Sequence, residues 1–498
     1  MRGNQRTSGE ISRQEGGKIF GSGSRASIAI SLLIKNPKKT GQCQLFYHDI
    51  GDYLSREDKL NIIKDFGSIA GIEWNRIKPN TTYDWVNQRN PTFEKFISLG
   101  DKKDATTKTV FELYSNGVKT NRDTWCYNFS HDAIIANMGK MIDFYNEQVE
   151  AYKELKSKKP SVDKFIDNDP NKISWSTKLK TELGKYTKYK LNSFNIVNSL
   201  YRPFCKQRLY YNENFNDRRG QMPRIFPNPT LQNLVIFLSG PGSGKDASVL
   251  IVDVLPDLNM QHSGGQGFPL HTYEKLEDKG GLFSTSSEYV KKDNIPDTIL
   301  AEFRKTYKNP KISKEDIFYY VYGILHSPEY KTRFAADLKK RLPRIPFAQD
   351  FKAFSQAGRD LAKWHLNYET IEPYPLSEST GELGFESKHP YQVQKMKFAG
   401  KAREPDKTTL IYNSNITLSG IPLSAYDYIV NGKSALEWII ERYQVTTDKA
   451  SGIKNDPNDW APDNPRYIID LIKRIVRVSL ETLKIVDKLP KLNEKVWQ

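Results

Sequence analysis

The order of apolar and polar residues predicts the elements of this chain before any motif is considered. Residues 26–34 (ASIAISLLI) are nearly continuous apolar and read as a buried strand, with QLFYHDIG at 44–51 its neighbour across the KNPKKTGQ turn. SREDKLNIIKDF at 55–66 reads as a short helix capped by Ser55, with acids in its first turn. Residues 131–157 place Ile134, Ile135, Met138, Met141, Ile142, Tyr145, Val149 and Tyr152 at helical spacing, and a polar linker at 158–174 follows. Between 230 and 300, strand-like runs (NLVIFLSG, VLIVDVLP) alternate with Gly-rich turns. Helical signals return at 313–340, where Lys314–Leu325 precedes a break at Ser327–Pro328. The last strong helix is 465–487, with Pro465 in its first turn and a core face from Ile468 through Leu483. The Pro/Glu/Ser-rich stretch 370–390 reads as a surface loop. The pattern is that of a mixed α/β protein in at least two domains.

Composition narrows the function classes. The 498 residues give room for about three domains of ~150 residues. With 38% hydrophobic and 12% aromatic residues, most of the chain can bury a core, which excludes a wholly disordered protein. No apolar stretch approaches the ~18 residues of a membrane span, and MRGNQRTSGE carries no apolar signal region. Cys43, Cys126 and Cys205 stand far apart, which argues against a disulfide framework and fits a reducing cytoplasm. The net charge of +16 is uneven. Residues 1–220 hold 37 basic and 25 acidic residues, and residues 151–210 alone hold 14 against 5. There Tyr186, Tyr189, Phe194, Tyr201 and Phe204 interleave with the lysines and arginines. Such a stripe suits a polyanion, whose condensed counterions are released on contact. The alternative is a solvated lysine-rich face.

Few motifs carry chemistry. Ser239 to Asp246 (SGPGSGKD) follows a strand and imitates a phosphate-binding loop, but Ser239 replaces the first glycine and Asp246 the magnesium-binding hydroxyl. It reads as a Gly-rich strand connection. Gly21–Arg25 (GSGSR) is a weak candidate anion nest, equally suited to a flexible strand entry. The seven histidines show no zinc spacing, and His326 and His365 read as core residues with satisfied hydrogen bonds. An amino-methyltransferase needs a cofactor turn and a Pro-Pro-aromatic loop to hold a flipped base, and neither is present.

Several runs together resemble one family, the type ISP restriction-modification enzymes. Among them are RGNQRTSGEISRQEGGKIFGSGSRASIAISLLIKNP (2–37), YHDIGDYLSREDKL (47–60), LYSNGVKTNRDTWCYNFS (113–130) and YRPFCKQRLYY (201–211). QMPRIFPNP (221–229), EDIFYYVYGILHSPEYKTRFAADLKKRLPRIPF (315–347) and VNGKSALEWIIERYQVTTDKASGIKNDPNDW (430–460) continue the series. In such enzymes a nuclease, a helicase-like ATPase, a helical coupler and an N6-adenine methyltransferase precede a target recognition domain. The resemblance implies that residues 1–105 are the C-terminal remnant of the methyltransferase. Residues 106–498 would then be the target recognition domain, with a helical, basic segment at about 131–215. The implied fold is the truncated end of a methyltransferase sheet followed by an α+β recognition domain with helical segments.

The resemblance also implies double-stranded DNA as partner. S-adenosylmethionine, ATP and magnesium are implied for the complete enzyme, and no cofactor for this chain. Lys119, Asn121 and Arg122 lie where the methyltransferase passes into the recognition domain and are candidates for phosphate or flipped-strand contacts, although Asp123 could instead pair with Arg122. Further phosphate contacts are expected from Arg202, Lys206, Arg208, Arg218, Arg219 and Arg224. Three readings follow. The chain is a DNA specificity module, catalytically incomplete alone; or the recognition subunit of a split adenine methyltransferase, docked on an upstream-encoded part; or an NTPase using Lys245.

Overall fold

The computed structural model describes residue 19 and residues 28–38, 40–41, 43–104, 106–155, 159–242, 245–261, 264–276, 288–380, 389–401 and 404–493. The expected strand at 26–34 is not formed over its described part. Residues 29–34 pair with no strand among the described residues, and Ile30, Leu32, Leu33 and Ile34 are 66–84% exposed. The expected neighbour does form a strand, β1 (Leu45–Tyr47), but pairs antiparallel with β2 (Asn75–Ile77), Leu45 opposite Ile77. Backbone N–H and C=O groups take the partner that closes a ladder, and apolar character alone does not choose it. Between them α1 (Arg56–Asp65) begins in a capping box: the Ser55 hydroxyl accepts from Asp58 N–H, and the Asp58 carboxylate accepts from Ser55 N–H. The Gly21–Arg25 motif lies outside the described residues.

A four-stranded sheet organises the first core. It contains β3 (Tyr127–Asn128), the hairpin β4 (Ile196–Arg202) and β5 (Cys205–Tyr210), and, as a parallel neighbour of β4, a two-residue strand at Leu255–Pro256. The hairpin turns at Phe204, whose φ of 58° lies in the left-handed region. The long helix α2 (His131–Glu154) lays the expected apolar stripe, Ile134, Met138, Met141, Ile142, Tyr145, Val149 and Tyr152, into this core. Each aliphatic side chain so buried contributes about 1.5–3 kcal/mol of transfer free energy.

The apolar runs of the middle region form β6 (Val235–Leu238) and β7 (Val249–Val252), an antiparallel pair whose register sets Leu238 opposite Val249. The strand Gln266–Pro269 adds to β6. Val235, Phe237, Leu250 and Val252 enter the first core, and Ile236, Leu238, Val249 and Ile251 enter a second. Burial on both faces explains why these strands are continuously apolar rather than alternating. The second core is closed by α3 (Lys314–His326) and α4 (Phe351–Leu366). Their backbones meet at two glycines: a Cβ on Gly358 would stand 1.9 Å from Tyr319 O, and one on Gly323 2.2 Å from Phe354 O. Phe93, Phe96, Ile97 and Leu99 also pack into this second core, and Ile97–Ser98 pairs with Arg344–Ile345.

The last helix, α5 (Tyr467–Asp487), starts two residues after Pro465 and buries the expected face against the first core. Within 370–390 the loop expectation is corrected. Ser377–Thr380 is a strand of a sheet ordered 377–380, 416–419, 404–411, 397–401, and residues 381–388 lie outside the described set. Ser and Glu side chains tolerate the solvated edge of a sheet, so this polar run pairs there. His326 and His365 are buried and bonded. The Tyr322 hydroxyl accepts from Ile251 N–H and lies 2.5 Å from His365 Nδ1, while His365 Nε2 lies 2.9 Å from Thr482 Oγ1. Burial pushes His365 down to about 3, so the ring is neutral at ordinary pH.

Candidate nucleic-acid interface

Three loops converge at one edge of the first sheet. Val118 joins it through Val118 N–H to Pro256 O (2.9 Å) and Leu258 N–H to Val118 O (2.8 Å). Lys119 then bridges antiparallel to Arg218, with N–H to O distances of 2.8 and 3.0 Å. Gly117 permits this closeness, because a Cβ there would stand 2.5 Å from Asp257 O. On the neighbouring turn, Gly220 has a φ of 53° and the Ser115 hydroxyl accepts from Gln221 N–H at 2.8 Å. The loop after Leu255–Pro256 is held by Asp257, whose carboxylate accepts from Asn259 N–H at 2.8 Å, and by Gly265 N–H to Leu258 O at 2.9 Å. Together they enclose a depression of about 310 Å³, lined in part by Lys119, Asn121, Asp123, Asp257 and Asn259.

Three of the nine sequence candidates come to this edge with exposed or half-exposed side chains: Lys119, Asn121 and Arg218. Lys119 Nζ lies 3.2 Å from Asp217. The side chains of Asn121 and Arg218 have no partner among the described residues. Asn121 has a φ of 55°, a conformation that Asn adopts more readily than most residues. Arg219 sits nearby, 3.0 Å from Glu213 and over the Tyr211 ring at 5.4 Å. Arg224 is exposed, 3.7 Å from Glu274. Ion pairs this open are worth about 0–1 kcal/mol and exchange readily for a phosphate.

The other four are committed inside the protein. Arg202 Nη1 lies 2.7 Å from Asp257 and Nη2 3.9 Å from Asp123, with the guanidinium over the Tyr201 ring at 3.8 Å. Burial pushes the Asp257 carboxyl up to about 6, yet at neutral pH the direct contact with Arg202 is an ion pair. Lys206 pairs with Glu369 at 2.6 Å. Arg208 donates to the Asn198 carboxamide and lies 4.4 Å from the Trp460 ring. Arg122 is 4% exposed, and its Nε and Nη1 have no partner. Asp123 does not pair with it: its carboxylate accepts from Thr120 and, at 3.2 Å, from the Tyr201 hydroxyl.

Sequence reasoning missed Asp217, Asp257 and Asn259, which reach the site only through long-range pairing of loops. The sole local signal was a Gly-rich turn after VLIVDVLP. The imitation phosphate-binding loop is the connection between antiparallel β6 and β7, where a nucleotide loop joins a strand to a helix N-terminus. Lys245 Nζ donates to Asn431 O at 2.8 Å, and Asp246 lies 3.5 Å from Lys339. These residues do not fit a nucleoside triphosphate.

Residues 109–471 match the family model of the type ISP C-terminal specificity domain. The chain is similar to the structure of a nuclease-deletion mutant of the type ISP restriction-modification enzyme LlaGI in complex with a DNA substrate mimic. They share 39% identity over 99% of this chain and 43% of that one, with a TM-score of 0.84. It is also similar to the ATP-dependent type ISP enzyme LlaBIII bound to DNA, at 36% identity over 93% of this chain and 28% of that one, TM-score 0.80. The DrdV–DNA complex gives 29% identity over 100% of this chain and 47% of that one, also at 0.80. The chain thus spans less than half the length of each of these proteins. No curated protein matches it.

Proposed function

The chain belongs to the type ISP C-terminal specificity domain family, and from that membership we propose that it binds duplex DNA sequence-specifically as the specificity part of such an enzyme. The observation that carries this reading is the 39% identity, over 99% of the chain, to a structure held on a DNA substrate mimic. The edge with Lys119 and Arg218, and Arg219 nearby, supports it, because cations in weak pairs or in none among the described residues can neutralise phosphates at little cost. Base discrimination would come from the depression beside them, and backbone contacts from the rim. Salt titration of duplex binding by the full chain tests the reading. Each phosphate neutralised adds about −0.9 to the slope of log K against log salt. Affinity that stays constant between about 50 and 200 mM salt would refute it.

A second observation favours a recognition subunit of a split adenine methyltransferase. Thirteen of the twenty large apolar side chains exposed among the described residues lie within residues 30–86, including Leu33, Trp74, Tyr83 and Trp85. Apolar surface of that density marks a docking face. In this reading residues 1–105 complete the sheet of a methyltransferase part that itself holds S-adenosylmethionine. Co-purification with that part, with adenine methylation dependent on both, is the expected result.

A further inference from the structure

We propose that Asn121 and Asn259 are base-reading residues, presenting two carboxamides to adenine edges in the major groove. The inference rests on the DNA-binding reading and deepens it. Both side chains line the same depression of about 310 Å³, both are exposed, and neither has a side-chain partner among the described residues. Exposed asparagines are ordinarily mobile, but these two stand on restrained loops. The Asn121 loop is fixed on one side by the Lys119–Arg218 bridge and on the other by Arg122 N–H to Thr120 Oγ1 at 3.1 Å. The Asn259 loop is fixed by Asn259 N–H to the Asp257 carboxylate and by Met260 N–H to Asp257 O at 3.1 Å. Asp257 is in turn locked by Arg202 at 2.7 Å, so a buried ion pair stands behind the reading loop. Restraint of this kind lowers the entropy lost on binding.

The chemistry selects the ligand. A carboxamide offers one acceptor and two donors in a plane, which match the N6 amino group and N7 of adenine at once. Asp257 and Asp123 in the lining disfavour a phosphate inside the depression, while Lys119 in the same lining and the exposed Arg218, bridged to Lys119 through the backbone, favour one just outside. That distribution suits a groove edge entering the depression with its backbone resting on the rim.

The test selects bound sequences from a duplex library randomised over a central window, using the full chain, Asn121→Gly and Asn259→Ala. Glycine keeps the positive φ of residue 121 and removes the side chain that carries the carboxamide. Thermal unfolding checks that both variants fold. The parent is expected to select A·T pairs at defined positions. Each variant is expected to lose about 5- to 150-fold preference at one of them, with an unchanged salt slope. Variants that select the parent's motif, or that lose affinity uniformly for every sequence, overturn the base-reading roles and leave DNA binding standing. A parent that binds no duplex even at about 50 mM salt overturns the DNA-binding reading as well.

Discussion

Arg202→Met separates the two jobs an arginine beside the proposed DNA-binding edge can do. In the structure its side chain is 13% exposed and its guanidinium lies 2.7 Å from the carboxylate of Asp257, a side chain 2% exposed. Removing one partner of a buried pair costs about 3–5 kcal/mol, because the other charge is left without compensation. Asp257 can escape only by taking a proton. Holding a carboxyl of ordinary pKa ~3.9 neutral at about pH 8 costs ~5.6 kcal/mol, which caps the penalty. Burial already raises this carboxyl to about 6, and loss of the guanidinium raises it further. A folded-state pKa above the unfolded one gives stability that is present in acid and lost as pH rises through the folded value. For the parent that window is about pH 4 to 6, and for the variant it extends higher. The destabilisation of Arg202→Met should therefore be about 2 kcal/mol larger at pH ~8 than at pH ~5.5. Urea unfolding at both pH values measures it. Arg202→Met with Asp257→Asn should recover most of the loss, since both charges are gone. A variant as stable as the parent at both pH values, whose salt slope for DNA falls by about 1, would show that Arg202 contacts phosphate instead.

Three further outcomes are expected. Arg218→Ala should leave the unfolding midpoint unchanged and reduce the DNA salt slope by about 1, measured by fluorescence anisotropy; an unchanged slope removes Arg218 from the interface. Gly358→Ala must open the α3–α4 crossing by over an ångström, since its Cβ would meet Tyr319 O at 1.9 Å. Overpacking of ~1–3 kcal/mol or more should exceed the ~1 kcal/mol that alanine gains in a helix, and a variant as stable as the parent contradicts that close contact. Lys245→Ala should cost about 1 kcal/mol for the lost bond to Asn431 O and change no nucleotide affinity; ATP binding by the parent that vanishes in the variant, followed by calorimetry, would reinstate a nucleotide site.

Much of the local structure was legible in the residues. Helix α2, the capped start of α1 and the face of α5 follow from period and caps, since a 3.6-residue apolar repeat has one helical solution. The two histidines were read as satisfied core residues for the same kind of reason. Pairing was less legible. Residues 29–34 have the composition of a strand and no ladder among the described residues, while the polar Ser377–Thr380 has one, because strand formation depends on a partner brought up from elsewhere in the chain.

At the candidate interface the division runs through individual residues. Sequence by itself located the charge, a basic and aromatic stretch that includes Arg202, Lys206, Arg208, Arg218 and Arg219, and the family that carries it. Only tertiary structure decided which of those cations face solvent. Residues 202, 206 and 208 lie on the paired strands β4 and β5, where Asp257, Glu369 and Asn198 engage them. Residue 218 lies on a loop bridged to Lys119 and keeps its guanidinium free of any partner among the described residues. A charge is encoded one residue at a time. Whether it is spent within the protein or offered outward depends on acids and amides that folding brings up from elsewhere in the chain.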